Sequence, residues 1–164
     1  MGHPNTAGRE AALQYLYMHD VLTHQDVQTF SDWLELQQPK PDAESAVFAQ
    51  KLVAVVLEHK AELDTEIAAV ADNWDIARMA VVDRNILRLG VAEMMSRPEI
   101  THNVVIDEAV ELAKRFSSEE AGAFVNGVLD KLRMKLRPET VAGAQADTET
   151  HRQDAVTVEP QPEI

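Results

Sequence analysis

The chain has 164 residues, 45% hydrophobic and 5% aromatic, with a formal charge of −13 and no cysteine. Its length suits one domain that buries about 70% of the surface an unfolded chain exposes, and the absence of cysteine excludes a disulfide framework, a thiolate metal site and a cysteine nucleophile. No basic start followed by an apolar run and no apolar stretch of bilayer length is present, so the chain reads as a cytoplasmic protein with neither export signal nor membrane span.

Few runs of Val, Ile, Thr and Tyr stand between turn signals, and the periodicity is helical almost throughout. The expected fold is all-α, with about seven helices that divide into two packed subdomains. Residues 1–7 read as a flexible N-terminal segment, residues 8–137 as the helical domain and residues 138–164 as an acidic tail.

In chain order, Ala12, Leu13, Leu16 and Tyr17 recur at helical spacing between Gly8 and about Thr23, with Glu10 early in the run where the helix dipole favours an anion. A second helix fits Asp26 to about Gln37, with Asp26 as N-cap and Phe30, Trp33 and Leu34 on one side, until Pro39 and Pro41 break it. Asp42 or Ser45 can cap the next run, which carries Val47, Phe48, Leu52, Val55 and Val56 and then Leu63, Ile67 and Val70. Its length allows two consecutive helices.

Asn73-Trp-Asp75 reads as a corner. Beyond it Met79, Val82, Ile86, Leu87, Leu89 and Val91 make an apolar helix too broad for one face, which implies burial on more than one side before Pro98 ends it. Val105, Ile106, Ala109, Val110, Leu112, Ala113 and Phe116 fill two adjoining stripes of a further helix. Ser117 or Ser118, with Glu119 and Glu120, opens the last, which carries Phe124, Val125, Val128, Leu129 and Leu132. Gly127 inside it costs about 1 kcal/mol relative to Ala, and a close helix contact there is the expected reason. The stretch after Arg137 has no sustained apolar face and is expected to be disordered.

Catalytic motifs are lacking: the chain has no Walker-type phosphate loop, no HExxH pair and no Gly-x-Ser-x-Gly elbow. Glu99-Ile-Thr-His102 is the sole Glu-x-x-His, where a dimetal bundle needs two, so a loop or capping role is preferred. Glu58, Glu62 and Glu66 share a helix face that reads as solvated. Asp107, Glu108 and Glu111 read as structural acids, because no second element of an acid/base device accompanies them.

The basic residues are more informative. Lys131, Arg133, Lys135 and Arg137 stand at the end of the last helix, where the dipole favours cations whatever the function. The acids Glu139, Asp147, Glu149, Asp154, Glu159 and Glu163 face Arg152 alone in the tail, yet the rest of the chain is acidic too. Any polyphosphate contact must come from local cations and aromatics working against that field.

Two segments late in the chain, Val104-Val-Ile-Asp-Glu-Ala-Val-Glu-Leu-Ala-Lys-Arg-Phe116 and Phe124-Val-Asn-Gly-Val-Leu-Asp-Lys131, together resemble the C-terminal signature of the NusB family of transcription antitermination factors. Arg9-Glu-Ala-Ala-Leu-Gln-Tyr-Leu-Tyr17 is similar to the family's first helix. Trp74-Asp-Ile-Ala-Arg78 with Asp83-Arg-Asn-Ile-Leu-Arg-Leu-Gly-Val-Ala-Glu93 is similar to its centre. Any one of these motifs is weak, but in order from Arg9 to about Lys131 they are specific.

The resemblance implies an all-α fold of two helical subdomains and no catalysis or cofactor. It implies binding of boxA-type single-stranded RNA of ribosomal transcripts together with NusE, a small-subunit ribosomal protein, within the RNA polymerase antitermination complex. Carried onto matching positions, Arg9 and Lys114 contact phosphate, Tyr17 and Phe124 offer stacking surface, and Asn126 hydrogen-bonds a base or backbone. For Tyr17 and Phe124 a core role fits the apolar pattern equally well, and Glu93 takes a structural or partner-contact role.

One departure stands out. Family members carry an arginine-rich segment before the first helix, whereas this chain reads Met1-Gly-His-Pro-Asn-Thr-Ala-Gly8 and keeps only Arg9, which predicts weaker RNA binding with a shallower salt dependence. Three readings follow: a partner-dependent antitermination factor, a NusB-like interaction module without RNA binding, and an accessory domain acting in trans with an rRNA methyltransferase. Self-association as a homodimer, through the surface otherwise used for a partner, stays open.

Overall fold

Asp42 shows how the sequence sets a helix boundary: its Oδ1 accepts the Ser45 backbone N–H at 2.9 Å and its Oδ2 accepts the Ser45 hydroxyl at 2.8 Å. The capped helix is α3, Ala43–Glu58. In the computed structural model, which describes residues 5–22, 28–72 and 74–136, seven α-helices are present. They are α1 (Thr6–Val21), α2 (Phe30–Glu35), α3, α4 (Lys60–Val70), α5 (Val81–Ser96), α6 (His102–Phe116) and α7 (Glu119–Leu136), with a short 3-10 turn at Ile76–Arg78.

Most boundaries follow the sequence, and the differences have local causes. Helix α1 begins at Thr6, ahead of the expected Gly8, so the end of the segment read as flexible is already helical. Helix α2 is shorter than expected because the Thr29 hydroxyl accepts the Asp32 N–H and caps it there; the proposed cap Asp26 lies outside the described residues, as do the tail and Arg137. The long run after Asp42 does divide, at His59, whose backbone leaves helical geometry. Ser118 opens α7 by accepting the Ala121 N–H at 3.0 Å.

Helix α5 is the axis of the molecule. Every residue from Asn85 to Met94 is buried, because α1, α3, α4, α6 and α7 all pack against it. That environment explains its broad apolar pattern and gives the two subdomains, α1 to α3 and α4 to α7, a shared core. Leu63, Ile67, Ile86, Leu87, Val105, Val125, Leu129 and Leu132 are buried almost completely. At the N-terminal side, Tyr15 meets Phe30 and Trp33 edge-on at 5.3 and 5.6 Å between ring centres and donates its hydroxyl to the Gln28 carbonyl at 2.8 Å.

The glycine expectation is corrected by α7. Gly127 is exposed, and a Cβ built on it meets nothing within 4 Å, so no close helix contact explains it. The tight approaches are elsewhere: a Cβ on Gly90 lies 2.9 Å from a Leu129 methyl, and one on Gly122 lies 2.9 Å from Lys114 Cγ.

Two polar clusters tie the helices together. Asp20, at the end of α1, accepts hydrogen bonds from Lys60 at 2.7 Å, Arg84 at 3.0 Å and Arg88 Nη1 at 2.9 Å, and Arg88 in turn grips Asp64 with its Nε and Nη2, at 2.6 and 2.8 Å. Burial pushes the Asp20 carboxyl up, but the bonds from Lys60 and Arg84 and the charge of Arg88 outweigh it and hold the group well below the usual carboxylate range. The second cluster centres on Arg9.

Candidate nucleic-acid interface

Arg9 sits in the first turns of α1 and points inward, at 3% exposure. Its Nε and a terminal nitrogen donate to the two Glu93 oxygens at 2.9 and 2.5 Å, a fork-to-fork geometry, and Glu108 lies 3.6 Å away. Glu108 also accepts the Thr6 hydroxyl at 2.8 Å. A guanidinium enclosed in this way has no face to offer a phosphate, so the expected phosphate contact gives way to a clamp joining α1, α5 and α6. Glu93 takes the structural alternative of its two readings.

The other expected contacts are on the surface, though not on one face. Tyr17 is 45% exposed and, with Leu13, Gln14, Val82 and Phe116, encloses a shallow apolar recess of about 270 Å³. Lys114 is exposed, lies along the Gly122 backbone, and is loosely placed 3.7 Å from Glu111 and 4.0 Å from Glu119. Asn126 is exposed on α7. Two helical residues of separation turn the side chain by about 200°, so Phe124 and Asn126 flank the buried stripe of α7 from opposite sides. Asn126 falls on the flank towards α6 and Lys114, Phe124 on the flank towards α4.

Phe124 is half-buried, and its partner is Trp74, whose ring centre is 5.3 Å away at 51°. Trp74 is 59% exposed, which makes it the most open aromatic residue among those described. In sequence Trp74 stands in a corner and opens the Trp74–Arg78 motif, with no role of its own. A tryptophan outside any periodic helix, four residues before an arginine, was the available signal, but exposure cannot be read from sequence.

Local charge is equally uneven. Lys131 pairs with Asp72 at 3.1 Å, Lys135 with Glu66 at 2.6 Å, Arg133 with Asp130 at 2.7 Å and Arg97 with Glu99 at 2.8 Å, while Arg115 pairs with Glu10. The cationic end of α7 is thus largely neutralised by Glu66 of α4, by Asp72 just beyond it and by its own turn. Among the described residues, Lys51 and Arg78 are the lysine and arginine with no carboxylate in ion-pair range. His102 opens α6 and is buried, while Glu99 of the Glu-x-x-His pair is exposed. No described helix is long and apolar enough to cross a membrane.

A surface of separate aromatic and basic contacts on a helical scaffold can bind extended ligands by stacking and charge. Comparison with known proteins narrows this general description. The NusB family profile matches residues 6–133. The chain is 48% identical over 135 residues to the transcription antitermination protein NusB of Sorangium cellulosum (strain So ce56), covering 80% of this chain and 92% of that one. With the protein of the same name from Geobacter sulfurreducens it is 44% identical over 126 residues, covering 76% and 90%.

The structure superposes on T. maritima NusB with a TM-score of 0.71 at 32% identity, covering 81% of this chain and 92% of that one. A crystal structure of antitermination factors NusB and NusE in complex with dsRNA contains a chain that matches with a TM-score of 0.70 at 32% identity, covering 79% and 96%. Agreement in sequence and in fold over nearly the full length of these relatives has one consequence: the chain belongs to the NusB family of transcription antitermination proteins.

Proposed function

We propose that the chain is an RNA-binding antitermination factor that works in the cytoplasm as a heterodimer with NusE on boxA-type single-stranded RNA of ribosomal transcripts, within the RNA polymerase antitermination complex. The observation that carries this reading is its likeness, over 79% of its length, to a chain of a crystal structure of NusB and NusE in complex with dsRNA; the single-stranded boxA ligand is the proposal's own step. Exposed Tyr17 and Asn126, loosely held Lys114 and the Phe124 ring support it, because unstacked bases offer π-faces and polar edges to such groups.

Dependence on the partner follows from the charge. The chain carries −13, its Arg9 is enclosed, and most of its surface cations already face carboxylates, so few phosphates can be neutralised by the chain alone. A partner that brings positive charge supplies what is missing. Fluorescence anisotropy of a labelled boxA RNA, with and without NusE and beside a scrambled RNA, tests the proposal. Specific binding that appears or tightens at least about tenfold with NusE is expected, an effect of about 1.4 kcal/mol. Absence of specific binding in both conditions contradicts it and favours an interaction module that kept the scaffold without the RNA site.

A further inference from the structure

We propose that Trp74, held against Phe124, and Arg78 form a contact for single-stranded RNA in which the tryptophan stacks a base and the arginine meets a phosphate. This rests on the RNA-binding reading above and adds residues of the connection between α4 and α5 to it.

Three independent features of the connection coincide. Trp74 exposes 59% of its surface, an arrangement that leaves a large ring in water unless something covers it. Its contact with Phe124, at 5.3 Å and 51°, fixes the indole against α7 while leaving it open to solvent. A fixed aromatic surface costs a ligand less ordering than a mobile one.

Arg78 ends the short 3-10 turn four residues on, which places its Cα within about 14 Å of that of Trp74 even on an extended path. It is exposed and, unlike almost every other arginine and lysine described, has no carboxylate in ion-pair range. The two acids beside it are already engaged: Asp75 accepts the Ala77 N–H at 2.9 Å and caps the turn, and Asp72 pairs with Lys131 at 3.1 Å. On a chain of charge −13, an arginine left without a carboxylate next to an open indole suits an anionic ligand with stacking bases better than a protein surface.

The test uses the full chain with NusE, the boxA and scrambled RNAs, and the variants Trp74→Ala, Trp74→Phe and Arg78→Ala. Thermal melting confirms that each is folded, which is expected because both positions are exposed. Trp74→Ala should weaken RNA binding by about tenfold while Trp74→Phe retains most of it, as a stacking contact requires. Arg78→Ala should weaken boxA and scrambled RNA alike and reduce the salt slope by about one.

If wild type binds RNA and all three variants bind equally well, the contact is refuted and the RNA-binding reading stands. If the variants weaken only the affinity for NusE, the surface is a protein interface and the proposal is overturned. If wild type itself binds no RNA with NusE present, both readings fall together.

Discussion

Arg9 shows how far a residue's neighbours decide its role. Its removal leaves Glu93 and Glu108 buried without their cation, so Arg9→Ala should cost about 3–5 kcal/mol in urea unfolding at neutral pH. Unchanged stability combined with lost RNA affinity would return Arg9 to the phosphate role. Sequence placed Arg9 and Glu93 in separate motifs and could not join them, since their pairing spans α1 and α5 and exists only after packing. Exposure was illegible for the same reason: Tyr15 and Tyr17 lie two residues apart on one apolar helix, and only the first faces the core.

Asp20 makes a second residue-level prediction, with its sign set by the direction of the shift. Its folded pKa lies below the unfolded value of about 3.9, so its contribution is fully present above that value and is lost as pH falls through it towards the folded pKa. Asp20→Asn should therefore lower stability at pH 7, by about 3 kcal/mol for a broken low-exposure cluster, and flatten the acid limb of stability below about pH 4. Denaturant titrations of both proteins at pH 7 and at pH 3 measure the difference. An equal gap at the two pH values would refute it.

At the scale of elements, glycine separates what patterns reveal from what packing adds. Gly90 and Gly127 both interrupt apolar helices, but a methyl group on Gly90 runs into buried Leu129 while one on Gly127 meets open space. Gly127→Ala should stabilise by about 0.5–1 kcal/mol through helix propensity, and Gly90→Ala should destabilise by about 1–3 kcal/mol through overpacking. Thermal melts of the two variants should move in opposite directions. Periodicity could give about seven helices and narrow one cap to Asp42 or Ser45, because those are local. It could not tell which glycine faces a neighbour, because that depends on the rotation of α7 against α5 and α6.

For the whole molecule, the four ordered motifs reached the family and the all-α fold, since they run from the first turn of α1 into α7 and lie on α1, α5, α6, α7 and the turn before α5. The ligand surface was less legible. Phe124 and Asn126 are neighbours in sequence yet flank opposite sides of α7, and Trp74 meets Phe124 only because the α4–α5 connection folds beside it, so the proposed contacts could not be grouped from sequence. Scattered contacts on an acidic body are consistent with a factor that needs its partner for affinity.

Transcription through a terminator on a template carrying boxA, in a purified system with NusE and RNA polymerase, tests the central claim most directly. Readthrough should rise when this chain is added, and the rise should vanish when boxA is scrambled or NusE withheld. Readthrough that is the same with and without the chain would contradict an antitermination role.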